Sequence, residues 1–341
     1  MKMTCTSREL HPRRAFRISR GRRTEVRNVF LRLEGDGSYG YGEASPNAFY
    51  GETWQSVTEK LEGARGYIEG LEVRTVADLE AIWEEAWARL APSRAAQCAL
   101  DLALWDWLAR HQNQSVTELA WEQTPQPVVS FATIGLSEPE ELPAKVEELD
   151  GFPRIKIKSD ATASLDPTTF VRAHSEALLA IDANCAWGQA NLAELSEKLA
   201  NLGVSFIEQP FPPEQNTALP KVSLPVIADE SCVTEDDVPR VIEHYDGFNI
   251  KLVKCGGITP ARRMVTAGRV AQKTIMVGCM LESSALIAAG AVIAQRTDYA
   301  DLDGAWLIGD DPFQGWSFER GMLSPSSLPG LGVEPLPGLF L

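Results

Sequence analysis

At 341 residues, 44% of them hydrophobic, the chain is long enough to bury a large core and to build a smaller unit beside it. Its formal net charge of -15 argues against nucleic acid and anionic membranes, which recruit clustered Lys and Arg, and so points to a small-molecule ligand. Six cysteines, Cys5, Cys98, Cys185, Cys232, Cys255 and Cys279, are scattered singly with no CxxC pair, which fits neither a disulfide framework nor a zinc site and makes a reducing cytoplasm the simplest location.

Charges without a following apolar stretch in Met1 to Phe16 give neither a secretory signal nor an anchor, and Ala285 to Ala294 is too short to span a bilayer. The first 122 residues read as an α+β unit. Asn28 to Glu34 is β-rich, Gly35 to Gly40 turn-like, and Thr53 to Leu71 carries helical spacing. Ser93 is an N-cap for a helix over Arg94 to Ala109, whose Cys98, Leu102, Trp105 and Leu108 share a face, with further apolar residues that predict packing on more than one side.

Residues 123–315 change to short apolar runs separated by helical patterns, the mark of repeated βα units. Eight runs are expected as strands: Val128 to Gly135, Arg154 to Lys158, Leu178 to Asp182, Ser205 to Gln209, Val226 to Asp229, Phe248 to Leu252, Thr274 to Cys279 and Tyr299 to Asp303. They predict an α/β fold, a (β/α)7-8 TIM-like barrel with an N-terminal capping domain, and polar residues end most of the runs, where such a barrel carries its site. A doubly wound open sheet competes, but Gly135 alone does not make a phosphate-binding turn. Residues 316–341, rich in Pro and Gly, read as an irregular tail packing back towards the cap.

Asp182, Glu208 and Asp229 end three successive strands, and a barrel brings them to one rim. Three hard oxygen donors favour Mg²⁺, one per subunit with Mn²⁺ as a substitute, since all four histidines, His11, His111, His174 and His244, lie away from these ends. Lys156 and Lys158 precede the acids and Lys251 follows them. Lys158 and Lys251 on opposite sides of a metal suit a proton that leaves one face of a carbon and returns to the other, with burial and neighbouring positive charge expected to depress their pKa. Lys156 would hold charge developing on an enediolate.

The ordered set IKIK (Lys156, Lys158), IDAN (Asp182), FIEQP (Glu208), IADES (Asp229), NIKL (Lys251), VGCM (Cys279, Met280) and DLDG (Asp301, Asp303) resembles the dipeptide epimerases of the muconate-lactonizing branch of the enolase superfamily. The resemblance covers most of the chain. It implies that Lys158 and Lys251 are the acid/base pair, that Asp182, Glu208 and Asp229 bind the metal, and that Asp301 and Asp303 hold a substrate ammonium. Lys156, Thr133, Cys279 and Met280 are the further substrate contacts it implies. RGRRTEVRN (Arg20 to Asn28), GYGEA (Gly40 to Ala44) and YGET (Tyr50 to Thr53) resemble the cap, with its first and last segments as lid loops; Arg22, with Arg20 and Arg23, is placed to meet an acidic side chain.

Glu282-Ser283-Ser284 stands where one L-Ala-D/L-Glu group carries a CTS-like run, so the substrate's side chains stay open. An o-succinylbenzoate synthase or muconate-type cycloisomerase competes on the same scaffold, but its substrate has no ammonium for Asp301 and Asp303. A non-catalytic barrel competes less well against retained inward lysines. Symmetric assemblies are common in the resembled family, which allows a homo-oligomer.

Overall fold

The computed structural model describes residues 1–14, 16–18, 21–188, 190–215 and 219–340, with residues 16, 18, 22 and 23 described by their backbone. The cap begins with β1 (Lys2–Leu10), a hairpin of β2 (Phe16–Ile18) and β3 (Gly21–Arg23), then β4 (Val26–Gly35) and β5 (Ser38–Ala44). Strands β1, β4 and β5 form an antiparallel sheet in that order. The expected turn is tighter than read from sequence, because β5 resumes pairing at Ser38 opposite Gly35.

Five helices follow: α1 (Trp54–Gly63), α2 (Arg65–Glu69), α3 (Val76–Leu90), α4 (Arg94–His111) and α5 (Val116–Trp121). The single helical stretch expected over 53–71 divides at Ala64, and Thr53 is its N-cap, in a reciprocal bond pair with Ser56. Ser93 caps α4 as expected, its Oγ accepting from Ala96 N at 3.0 Å. Every residue from Ala95 to Ala109 is buried. Helix α4 lies so close to β5 that a Cβ on Gly42 would sit 1.9 Å from Ala99 O, and one on Gly40 2.1 Å from Ala103 O. Glycine at both positions is therefore what lets strand and helix backbones touch.

A two-residue strand β6 (Val128–Val129) and barrel strand β7 (Ala132–Ile134) replace the single run expected over 128–135. The break falls at Ser130, whose Oγ accepts from Leu302 N at 2.7 Å and whose N donates to Gly321 O at 2.8 Å. The chain then runs through α6 (Leu142–Glu148), β8 (Arg154–Lys158), α7 (Asp166–His174), β9 (Leu178–Asp182), α8 (Leu192–Asn201), β10 (Val204–Glu208) and β11 (Val226–Ala228). Next come α9 (Val238–His244), β12 (Gly247–Lys251), α10 (Leu252–Cys255), α11 (Ile258–Val270), β13 (Thr274–Gly278), α12 (Ser284–Ala294), β14 (Tyr299–Asp301) and α13 (Gly304–Leu307).

Strands β7 to β14 form one parallel sheet in chain order, and the bond from Phe131 N to Ala300 O, 2.8 Å, joins its two edges into a nearly closed barrel. Between β10 and β11 the described residues hold only a short 3₁₀ turn at Pro213–Gln215 where other units carry an α-helix. Alternation sorts the side chains. Ile155, Ile157, Ile181 and Ile207 join the layer under the outer helices, while Phe131, Ala180, Phe206, Ile227 and Met276 form a separate cluster. The tail is less irregular than expected. Strand β15 (Phe313–Gln314) pairs with β18 (Glu334–Pro335), and β16 (Ser317–Glu319) and β17 (Met322–Ser324) extend from β6.

Two buried carboxylates of the cap reach the N-termini of barrel helices. Asp101 on α4 accepts from Thr259 N at 3.0 Å and Thr259 Oγ1 at 2.6 Å at the start of α11. Glu43 on β5 accepts from Ser283 N, Ser283 Oγ and Leu286 N at 3.0, 2.5 and 3.3 Å at the start of α12. Each satisfies donors that a helix start leaves orphaned and meets the positive end of its dipole, so the cap is docked by capping in trans.

Candidate active site at the barrel rim

Eight strands in a ring place β8 and β12 diametrically apart, so Lys158 and Lys251 face each other across the axis. Between them on one side stand the ends of β9, β10 and β11 with Asp182, Glu208 and Asp229. On the other stand β14 and β7 with Asp301, Asp303 and Thr133. All three acids of the first group are at most 1% exposed, which in a protein interior demands nearby positive charge.

Lysines supply it. Lys158 Nζ donates to Asp182 Oδ2 at 2.5 Å, Lys156 Nζ to Glu208 Oε2 at 3.0 Å and Lys251 Nζ to Asp229 Oδ2 at 2.8 Å. Lys156 also donates to Asp301, and so spans the two sides of the site. The second oxygens are engaged from outside. Asn184 N reaches Asp182 Oδ1 at 2.8 Å, Asn249 Nδ2 reaches Glu208 Oε1 at 2.7 Å, and Lys254 Nζ reaches Asp229 Oδ1 at 2.6 Å.

Electrostatics follow from this packing. For Lys156, burial opposes the charge, but Asp301, Glu208 and Asp182 outweigh it and hold the ammonium well above its ordinary pKa. Lys251 behaves alike, with Asp229 and then Glu208 overcoming burial. For Lys251 the protein's own groups therefore raise the pKa that burial alone would depress, because Asp229 stands against its ammonium. Burial, with Asp182 beside it, pushes Glu208 up to about 7, whereas Lys251 and Lys254 hold Asp229 below the usual carboxylate range against burial.

The acids form a hard, buried oxygen set without His or Cys, and the buried Asn249 Oδ1 beside them has no hydrogen-bond partner. That donor set fits Mg²⁺. Among the described residues, the three-residue group whose ligand atoms all lie within 4.8 Å is instead Glu9, His11 and Glu25. There the His11 ring is engaged by Asp310 at 2.8 Å and Glu9 at 3.2 Å on the surface, whereas at the rim the ammonium groups lie against the acids.

Asp303 Oδ2 accepts from Thr133 N at 2.7 Å, and Thr133 Oγ1 lies 3.4 Å from Asp301 Oδ1, so the three residues form one cluster. Burial, then Asp301, push the Asp303 carboxyl up to about 7. Met280 Sδ lies 3.8 Å from Asn47 Nδ2 of the cap, and Cys279 precedes it at the end of β13. Beside Lys158 a cleft of ≈ 570 Å³ opens between the ends of β7 and β8, bordered by Arg17 and Gly21 of the cap hairpin. Arg20 and the side chains of Arg22 and Arg23 lie outside the described residues.

Sequence reading missed Lys254, Asn249 and Glu43, and named Glu282 only as a departure from a CTS-like run. Asn249 shares the inward alternation of Lys251, and Lys254 follows it by three residues, a spacing that could have found them. Glu282 accepts from Met280 N at 2.9 Å, shaping the Cys279–Met280 corner, and burial followed by Glu43 push its carboxyl up to about 8.

Fold and site together define a capped parallel barrel in which lysines face one another across a carboxylate rim. Residues 1–120 match the N-terminal domain of mandelate racemase / muconate lactonizing enzyme, and residues 141–338 match the enolase C-terminal domain-like family. The chain belongs to this family, the mandelate racemase / muconate lactonizing enzymes of the enolase type. It is 36% identical to an L-Ala-D/L-amino acid epimerase of Flavobacterium johnsoniae over 98% of this chain and 100% of that one. It is 35% identical to the L-Ala-D/L-Glu epimerase of Escherichia coli, over 86% of this chain and 91% of that one. Among solved structures, a dipeptide epimerase from Methylococcus capsulatus complexed with Mg and L-Arg-D-Lys superposes with a TM-score of 0.89 at 31% identity, covering 98% of this chain and 99% of that one.

Proposed function

We propose that this protein is a Mg²⁺-dependent dipeptide epimerase, an isomerase that inverts the α-carbon of the C-terminal residue by proton transfer between two lysines. The observation that carries the reading is the placement of Lys158 and Lys251 on diametrically opposed strands, with the buried acids Asp182, Glu208 and Asp229 on one side and the Asp301–Asp303 pair on the other. A substrate spanning that gap has its carboxylate towards Asp182, Glu208 and Asp229, its ammonium towards Asp301 and Asp303, and its α-carbon between two ammonium-bearing side chains. The relatives named as dipeptide epimerases, with dipeptides differing in side chain, support the activity.

Asp182, Glu208 and Asp229 would hold the ion. When bound, Mg²⁺ neutralises these acids and draws charge from the substrate carboxylate, making the α-proton more acidic. One of Lys158 and Lys251 removes that proton, Lys156 donates to the carboxylate as it becomes an enediolate, and the opposite lysine returns a proton to the other face. Burial and then Asp301 raise the Asp303 carboxyl, and an arriving ammonium would draw it to its charged form by offsetting both. The cap hairpin beside the cleft would exclude water.

All six cysteines are free thiols, which supports a reducing, cytoplasmic location, and no helix among the described residues is long and apolar enough to cross a membrane. The test is incubation with Mg²⁺ and L,L-dipeptides in D₂O, scored by mass spectrometry. Uptake of one deuterium at the C-terminal α-carbon of a subset is expected, together with the epimer. No uptake across the set by protein that binds the metal would sink the reading and favour an elimination or cycloisomerisation.

A further inference from the structure

Asp229 is gripped on both oxygens by lysines of one segment. Lys251, ending β12, donates to Oδ2 at 2.8 Å from the barrel interior, and Lys254, on α10, donates to Oδ1 at 2.6 Å from outside. Lys254 is 2% exposed, and its Nζ also donates to Asp229 O at 2.6 Å and Cys232 O at 2.9 Å. An ammonium carries three donors, and these three short acceptors use all of them, leaving none for a substrate. Gln209 holds the same turn from the other side, its Oε1 accepting from Asp229 N at 2.8 Å and Ser231 N at 3.0 Å.

The three rim acids share a pattern. Each has an outer oxygen occupied by a neighbour, namely Asn184 N, Asn249 Nδ2 or Lys254 Nζ, and an inner oxygen turned to a lysine. Only the partner of Asp229 is a charged side chain. We propose that Lys254 is a positioning residue that locks the outer oxygen of Asp229 and so presents its inner oxygen to a divalent cation, setting the affinity of the centre without touching substrate.

This rests on Asp229 being a metal ligand, as in the function proposed above. With Lys254 removed, Asp229 is free to turn and to ligate in competing geometries, and loss of such a supporting bond characteristically lowers metal affinity by about 10- to 100-fold.

Isothermal titration of the EDTA-stripped, folded protein with MgCl₂ tests it, comparing the parent with Lys254→Met, Lys254→Gln and Asp229→Asn. The parent binds one Mg²⁺ per chain and Asp229→Asn binds far more weakly or not at all. Lys254→Met keeps one site with a Kd raised about 10- to 100-fold, Lys254→Gln falls between, and saturating Mg²⁺ restores most of the turnover of both. Parent-like affinity in Lys254→Met overturns the proposal while leaving the metal centre intact, as does a fall in kcat at saturating Mg²⁺ with affinity unchanged. Failure of both Lys254 variants to fold, judged by circular dichroism, makes it a residue of the fold and overturns the positioning role. A parent that binds no Mg²⁺ overturns the metal centre itself.

Discussion

Glu43 offers a sharp test of how the cap is held. Its four bonds run to Asn28 Nδ2 at 2.7 Å and to Ser283 N, Ser283 Oγ and Leu286 N. In Glu43→Ala, Asn28 keeps Leu281 O and the Ser283 hydroxyl can turn, so the uncompensated loss is the acceptor of two backbone N–H groups at the start of α12. At about 1–3 kcal/mol for each orphaned donor, the cost is about 2–6 kcal/mol. With an unfolding entropy near 2.1 cal/mol/K per residue, this lowers Tm by roughly 3–8 °C for a chain of this length.

Glu43→Gln separates charge from shape. Burial raises the Glu43 carboxyl from 4.5 to about 7. A raised acid binds its proton more tightly when folded, so the parent is free of penalty below the unfolded value and loses stability as pH rises through the folded one. That loss is roughly 3 kcal/mol, complete above pH 7. Glutamine does not titrate and also relieves Glu282, whose carboxyl Glu43 helps to raise. Melting of both proteins at pH 5 and pH 8 should therefore show the variant gaining about 4 °C on the parent across that interval. A Tm difference identical at both pH values would refute the reasoning, because it would mean that Glu43 is charged throughout or that the seam does not limit unfolding.

Replacing Lys158 or Lys251 by Met should abolish epimerisation in each case while leaving deuterium exchange from opposite substrate epimers, and full activity in either variant would end the two-lysine mechanism. Asp301→Asn with Asp303→Asn should raise KM for a free dipeptide at least tenfold, with a much smaller effect on an N-acetylated analogue; kinetics on the pair of substrates decide it. Gly42→Ala, which forces a Cβ to 1.9 Å from Ala99 O, should cost at least about 1–3 kcal/mol, and an unchanged melting curve would show that β5 and α4 can part cheaply.

The barrel was legible where alternation and strand ends coincide. Ile155-Lys156-Ile157-Lys158 states its inward and outward faces outright, and Asp182, Glu208 and Asp229 each close a short apolar run in the sequence. What failed was long-range. Glu43 sits in a glycine-flanked strand whose partner, Ser283, lies 240 residues on, so no local pattern marks it as the cap of another unit's helix. Lys254 went unread because nothing in KLVK tells that α10 is buried. Ser130 ended the first expected strand early through a side-chain bond to the far edge of the barrel, a contact that exists only once the ring closes.

Charge balance gives a physical reason why the proposed lysine base would depend on a divalent cation. The rim and its surroundings carry Lys156, Lys158, Lys251 and Lys254 against Asp182, Glu208, Asp229, Asp301 and Asp303, a formal charge of -1 from the protein's own groups. Making one lysine neutral takes that to -2 inside a buried cluster, which is why the acids hold Lys156 and Lys251 protonated. Two positive charges added at the acids bring the same neutral-lysine state to zero, while a zwitterionic dipeptide adds nothing. A monovalent ion of similar size leaves the deficit half filled. Replacing Mg²⁺ by Na⁺ or Li⁺ should therefore suppress exchange at neutral pH far more than it suppresses dipeptide binding. Equal exchange rates with Li⁺ would show that the lysines are released by something other than the charge of the ion.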